Sequence, residues 1–336
     1  MPGKVTILGA GSWGIANANL LAENGALVTL WEFDPGELAL LRRERGHSKK
    51  LPGISIDDSV VLTGDLAGAV GAADIVIFAV PAQKIAGVCR ELTRISVRAT
   101  DLVVNLAKGI EEITLRRVSQ IIVQEWAGTK PDAVVTLSGP SHAEEVARHL
   151  PTSVVVAGEK EHCVQAQRLY SNPMFRVYWC PDLVGVELGG SLKNVVAIGS
   201  GIAQGLGFGD NTMGALITRG LVEINRLAVE MGADPETLAG LSGVGDLITT
   251  CISKHSRNRH VGYNIGQGKT LDEVLAGMVM VAEGVTTCRS ARQLARLHGV
   301  EMPITEAVYS VLFDGLSPKT AVANLMTRPL KAEDWK

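Results

Sequence analysis

Cysteine is scarce and scattered. The five residues, Cys89, Cys163, Cys180, Cys251 and Cys288, are odd in number and form no C-x-x-C pair. That argues against a disulfide framework and against a zinc site. The seven histidines form no H-E-x-x-H and no tight cluster with cysteine, so no metal is expected. An excess of either charge is missing too. Lysine plus arginine total 32 against 35 aspartates and glutamates, a formal net charge of -3. This balance argues against the broad basic surface of a nucleic-acid binder but leaves room for a local anion pocket. No stretch reaches the roughly 18 to 20 uninterrupted apolar residues of a membrane helix. No basic-then-apolar signal region precedes the first strand-like run. The expectation is a protein of a reducing cytoplasm, with no membrane insertion. Its 336 residues, 46% hydrophobic and 20% charged, suit about two globular domains.

The first half alternates short β-branched runs with helical stretches. Val5–Leu8, Val28–Trp31, Val60–Leu62, Ile75–Val80, Leu102–Asn105 and Val134–Leu137 read as strands, and Ile15–Asn24 as a helix stopped by Gly25. Continuously apolar strands between helices predict a parallel sheet covered on both faces. Thr152–Ala157 and Phe175–Trp179 would extend it. After Pro181 helical periodicity takes over, through Val186–Gly205, Met213–Met231, Thr270–Leu275, Cys288–His298 and Ile304–Leu312. Pro235, Pro303 and Pro318 stand at helix starts. The expected fold is α/β: a Rossmann-type, doubly wound sheet over residues 1–187, then an all-helical substrate-binding and catalytic domain over 188–336.

Gly9-Ala10-Gly11-Ser12-Trp13-Gly14 is G-x-G-x-x-G directly after a strand and directly before a helix. In that context it reads as a dinucleotide loop. Gly9 makes the tight turn, Gly11 admits a pyrophosphate, and Gly14 lets helix and strand pack closely. The helix N-terminus then offers N–H groups and partial positive charge to the phosphates. A second hint of a phosphate loop, Gly266-Gln267-Gly268-Lys269-Thr270, lacks the required glycine at Tyr263 and has no strand before it. Thr270-Leu271-Asp272-Glu273 reads instead as a capping box.

A hydride carrier needs a group beside it that takes and gives a proton. Glu187-Leu188-Gly189-Gly190-Ser191-Leu192-Lys193-Asn194 opens the helical half and sets Lys193 among small and apolar residues. Burial there would lower its pKa toward the working range. A lysine on a helix is more often a solvated surface charge, but the Gly-Gly and Asn flanks make this one atypical.

Leu188–Val195 resembles the lysine signature of the NAD(P)-dependent glycerol-3-phosphate dehydrogenases, the bacterial type in particular. So do Gly9–Gly14, Ala107-Lys108-Gly109, Leu137-Ser138-Gly139-Pro140-Ser141, Gly243-Val244-Gly245-Asp246-Leu247, Ser256-Arg257-Asn258-Arg259 and Val281-Ala282-Glu283-Gly284, in the family's order. Gly205–Gly209 and Glu301–Glu306 also fit. The resemblance implies oxidation and reduction between sn-glycerol 3-phosphate and dihydroxyacetone phosphate, feeding phospholipid synthesis. It implies Lys193 as proton acceptor and donor. Lys108 would touch cofactor and substrate and polarise the carbonyl. Gly139 and Ser141 would line the substrate site, with Ala143 near the cofactor. Asp246 would hold the lysine network, with Thr250 nearby. Asn194, Ser256, Arg257 and Asn258 would bind substrate, Arg257 at its phosphate and also at the cofactor. Ser12, Trp13, Val281 and Glu283 would contact the cofactor. The residue chemistry agrees, since an arginine fork suits phosphate oxygens.

Glu32 and Phe33 end the second strand, where an acidic side chain meets the adenine ribose. Glu32 would repel a 2′-phosphate, so NAD(H) is expected over NADP(H). Arg42, Arg43 or Arg45 reaching over keeps NADP(H) open. Two rivals stand beside this reading: a hydroxyacid or sugar-acid dehydrogenase, and a non-catalytic dinucleotide-binding redox sensor. Lys108, Lys193, Asp246, Arg257 and Asn258 together argue against the sensor. The apolar, small-residue helices point to a homodimer.

Overall fold

The structure, a computed structural model, describes residues 3–330 and 332–333. Met1, Pro2, Lys331 and residues 334–336, at the outer ends of the expected segments 1–187 and 188–336, lie outside the described residues. Two compact units are present. One runs to Lys108 and resumes over Arg117–Leu183; the other holds Gly109–Arg116 and the chain from Val184 onward.

In the first unit the elements follow as β1 (Lys4–Leu8), α1 (Ser12–Glu23), β2 (Leu27–Trp31), α2 (Pro35–Glu44), β3 (Gly46–His47), β4 (Leu51–Ser55), β5 (Val61–Thr63), α3 (Leu66–Gly71), β6 (Ile75–Phe78), α4 (Ala82–Arg94) and β7 (Leu102–Asn105). Then come α5 (Val118–Glu125), β8 (Val134–Ser138), α6 (Ala143–Val146), β9 (Thr152–Ala157), α7 (Lys160–Tyr170) and β10 (Phe175–Cys180). The main sheet has the order β10-β9-β8-β7-β6-β1-β2-β5. Its strands alternate between two faces. Ile75 and Ile77 join one buried cluster and Val76 and Phe78 another, so both faces are covered and every residue of β6 is apolar. Helix α4 shows the matching helical pattern, with Ala82, Ile85, Ala86, Cys89 and Leu92 buried.

Strand order reverses at β1, which pairs with β2 on one side and β6 on the other, both parallel. In open α/β sheets that switch point, at the strands' C-terminal ends, is where ligands bind. Two features differ from the expectation of a uniformly parallel sheet. Strand β9 runs antiparallel to β8 and carries β10 with it, because the only helix between β8 and β9 is the single turn α6. At about 1.5 Å per residue α6 is far shorter than a strand at about 3.3 Å per residue, so it does not return the chain to the strand's start. The hairpin β3–β4, antiparallel and with an irregular register, is an addition.

The second unit is built from α8 (Leu183–Gly205), α9 (Asp210–Glu230), α10 (Asp246–Ile252), α11 (Arg257–Gly266), α12 (Leu271–Ala276), α13 (Glu283–Leu297), α14 (Pro303–Phe313) and α15 (Pro318–Met326). The expected boundary at residue 187 falls inside α8. Residues 109–116, which the sequence reading leaves with the sheet, belong to the helices for a packing reason. Ile110 is fully buried in the helical core, Ser290 Oγ donates to its carbonyl at 3.1 Å, and Glu112 pairs with Arg289 at 3.1 Å. Glycine lets α8 and α11 cross closely: a Cβ at Gly201 would fall 2.1 Å from the Arg259 carbonyl oxygen, and one at Gly262 1.9 Å from that of Ile198. The Thr270–Glu273 capping box forms and opens α12. Among the described residues no helix is long and apolar enough to cross a membrane.

Candidate active site

The loop between β1 and α1 is a fitted cradle. Gly9 has φ +111, and a Cβ there would lie 2.9 Å from Val80 Cγ1, so both conformation and space call for glycine. At Gly14 a Cβ would fall 1.9 Å from the Gly9 carbonyl oxygen, which is the close helix–strand contact expected of that position. Gly11 differs. Its φ of -74 is open to any residue, and beyond its two chain neighbours a Cβ would meet no atom within 4 Å. The fold itself does not demand glycine at 11. Ser12 is the first residue of α1 and buried, and Trp13 packs partly into the core beside it.

At the end of β2, Glu32 is buried and its Oε1 accepts from the Asp34 N–H at 3.1 Å, while Phe33 is exposed. Asp34 caps α2 by accepting from the Glu37 N–H. The three arginines nearby have other partners. Arg42 donates to the Leu62 carbonyl at 3.0 Å, Arg45 to the carbonyls of Val60 and Asp57, and Arg43 to Glu44.

Three further residues of the first unit come together at the ends of β7 and β8. Lys108 Nζ donates to the Gly139 carbonyl at 3.0 Å, and Ser141 Oγ donates to the same oxygen at 3.0 Å. Gly139, at φ +134 directly after β8, turns that carbonyl toward both. Ala143 follows, buried, as the first residue of α6.

In the second unit Lys193 lies on α8 at 5% exposure, with Nζ 2.5 Å from Asp246 Oδ1 and 2.6 Å from Thr250 Oγ1. The Thr250 hydroxyl donates in turn to the Asp246 carbonyl at 2.6 Å. Asp246 opens α10, one turn before Thr250, so both face α8. A π-helical turn over Leu241–Gly245 delivers Asp246 there, its Gly245 N–H bonded to the Gly240 carbonyl. Burial alone disfavours an ammonium, while a carboxylate in contact favours it.

Asn194, next on α8, accepts from Asn258 Nδ2 at 2.9 Å, and Asn258 Oδ1 accepts from the Gly284 N–H at 2.9 Å. Ser256, Arg257 and Asn258, which the sequence shows only as a polar cluster, open α11. Ser256 is its cap, accepting from the Arg259 N–H, so the hydroxyl works for the helix. Arg257 extends over that N-terminus and donates to the Val281 carbonyl at 2.9 Å. Val281 is exposed, and Glu283, half-buried, begins α13. The N-terminus of α11 adds N–H groups and a partial positive charge to the guanidinium, a setting suited to a phosphate. Burial pushes the thiols of Cys251 and Cys288 up to about 12, which disfavours a thiolate at either.

Sequence reasoning passed over Asn105, the buried end of β7, whose amide grips the residue before Lys108. The available signal was a lone amide closing an otherwise apolar strand, Leu102-Val103-Val104-Asn105.

A dinucleotide-type sheet joined in one chain to a helical unit holding a buried, carboxylate-paired lysine defines a class, the pyridine-nucleotide-dependent dehydrogenases. Comparison with known proteins narrows it. The N-terminal family model of NAD-dependent glycerol-3-phosphate dehydrogenase matches residues 4–164 and its C-terminal model residues 182–323. The glycerol-3-phosphate dehydrogenase [NAD(P)+] of Pelotomaculum thermopropionicum is 51% identical over 98% of this chain and 94% of its own. That of Moorella thermoacetica is 48% identical over the whole of both. The crystal structure of glycerol-3-phosphate dehydrogenase from Coxiella burnetii superposes with a TM-score of 0.92 at 34% identity, over 97% of this chain and 99% of that one. The chain belongs to the NAD-dependent glycerol-3-phosphate dehydrogenase family. It is an NAD(P)-dependent oxidoreductase.

Proposed function

We propose that this chain interconverts dihydroxyacetone phosphate and sn-glycerol 3-phosphate, with Lys193 as the group that gives and takes the hydroxyl proton. The observation that carries the reading is the buried contact of Lys193 Nζ with Asp246 Oδ1 and Thr250 Oγ1. The loop Gly9–Gly14 would hold the pyrophosphate of the dinucleotide, whose reduced nicotinamide would supply the hydride to the carbonyl carbon. In reduction the Lys193 ammonium gives its proton to the developing alkoxide; in oxidation the neutral amine receives the hydroxyl proton. The Asp246 carboxylate stabilises the ammonium and, with Thr250, aims it. Lys108 adds a second positive charge at the polarised oxygen. Arg257 and the N-terminus of α11 take the phosphate, and Asn194 and Asn258 form the polar surface beside Lys193. Ser141 and Gly139 serve the substrate through hydroxyl and backbone, and Ala143, Val281 and Glu283 the cofactor.

NADH is the preferred carrier in this reading. The support is that Glu32 stands at the end of β2, the position from which a carboxylate would accept from the adenine ribose hydroxyls, and that Arg42 and Arg45 are engaged with backbone carbonyls. The reading extends to a homodimer in the cytoplasm that supplies glycerol 3-phosphate for phospholipid synthesis; light scattering of the purified chain checks the dimer. The deciding assay follows loss of reduced cofactor with dihydroxyacetone phosphate, run with NADH and with NADPH. Turnover faster with NADH is expected. No turnover with either carrier, or faster turnover of a 2-oxo acid, would overturn the proposal.

A further inference from the structure

Asn105 closes β7 with no exposed surface, in register between Phe78 of β6 and Thr136 of β8. A buried amide is costly unless its donors and acceptors are met, and here they are met asymmetrically. Oδ1 accepts from the Ala107 N–H at 2.9 Å. Nδ2 donates to the Ala107 carbonyl at 3.2 Å and to Thr136 Oγ1 at 3.1 Å. One side chain therefore holds both polar groups of a single backbone residue, the one just before Lys108. Its third bond reaches β8, the strand that leads through Ser138 to Gly139. Gly139 is the residue whose carbonyl receives Lys108 Nζ. The amide thus ties down both ends of the Lys108–Gly139 contact from underneath: the backbone that launches the lysine, and the strand that presents its acceptor.

We infer that Asn105 is a positioning residue for Lys108, fixing the turn from which its ammonium is aimed. The inference rests on the reading of Lys108 as a group that acts on the substrate. The chemistry specifies an amide. Aspartate has the same shape but would set a second acceptor against the Ala107 carbonyl, where the amide donates. Alanine would leave Ala107 and Thr136 without these partners.

A double-mutant cycle tests this on the full chain. Turnover of dihydroxyacetone phosphate and the Kd of NADH, read by fluorescence titration, are measured for wild type, Asn105→Asp, Lys108→Ala and the double variant. Asn105→Asp should lower kcat at least tenfold with the Kd of NADH changed less than threefold. In the Lys108→Ala background the same substitution should lower kcat by less than twofold, since nothing is left to aim. An equal loss in both backgrounds, or near-normal kcat for Asn105→Asp, overturns the inference. Near-wild-type turnover of Lys108→Ala alone instead overturns the reading of Lys108 on which it rests. Should Asn105→Asp fail to fold, Asn105→Ser, which is smaller and neutral, takes its place under the same criteria.

Discussion

Lys193 Nζ lies 2.5 Å from Asp246 Oδ1, and both residues are almost wholly buried. Replacing Asp246 by Asn keeps the shape and removes the charge, leaving the lysine buried beside a neutral amide. Breaking a buried pair from one side typically costs about 3–5 kcal/mol. Asp246→Asn should therefore lower both stability, read by denaturant midpoint, and turnover. A variant as stable and as active as wild type would mean that the pair is dispensable.

Lys193→Ala removes the proposed proton donor. General acid–base groups contribute about 100- to 10,000-fold, so turnover should fall by at least the lower figure while NADH binding persists. Steady-state kinetics together with a cofactor titration separate the two quantities. Near-normal turnover would reassign the proton to another group.

Arg257→Ala should act chiefly through the substrate phosphate. The guanidinium sits at the N-terminus of α11, and its bond to the Val281 carbonyl shows its reach toward α13. Efficiency with dihydroxyacetone phosphate should drop steeply, and efficiency with unphosphorylated dihydroxyacetone much less. Equal losses on both substrates would point to support of the Val281 segment instead.

Glu32→Arg should turn carrier preference toward NADPH. A carboxylate accepts from ribose hydroxyls and repels a 2′-phosphate. About 1.4 kcal/mol of differential binding is a factor of ten, so the ratio of kcat/KM values should move by about tenfold or more. If the wild type already favours NADPH, Glu32 does not govern the choice and one of Arg42, Arg43 and Arg45 leaves its present partner to clamp the phosphate.

Glu223 on α9 should make stability fall as pH rises. Burial pushes its carboxyl up from 4.5 to about 7, although it accepts from the N–H groups of Ile304 and Thr305 at the start of α14. Between those two values the folded chain holds a proton that the unfolded chain has released. The group's contribution is therefore complete below pH 4.5 and declines through pH 7. A shift of this size corresponds to about 3 kcal/mol. Denaturant titrations at pH 5 and pH 8 should show wild type losing about that much relative to Glu223→Gln, which does not titrate. A difference independent of pH would show that the hydrogen bonds, not the burial, govern this carboxyl.

The local, repeating signals were legible in the chain alone. Apolar strands such as Ile75–Phe78 are written as continuous runs because both sheet faces are covered, and Gly9, Gly11 and Gly14 stand at fixed spacing because one turn joins a strand to a helix. The residue types of the candidate site were legible for the same reason: each lies in a short motif. Their partnerships were not. Lys193 and Asp246 are 53 positions apart, Asn194 and Asn258 64, and Lys108 and Gly139 31, so only the packing of α8 against α10 and α11, and of β7 against β8, decides who meets whom. Tertiary contacts likewise drew residues 109–116 into the helical core through Ile110, and β9 reversed where the chain between strands supplies only one helical turn. Sequence carries propensity and period, which act over a few residues; burial, ion pairing and strand direction depend on neighbours that only the folded chain brings close.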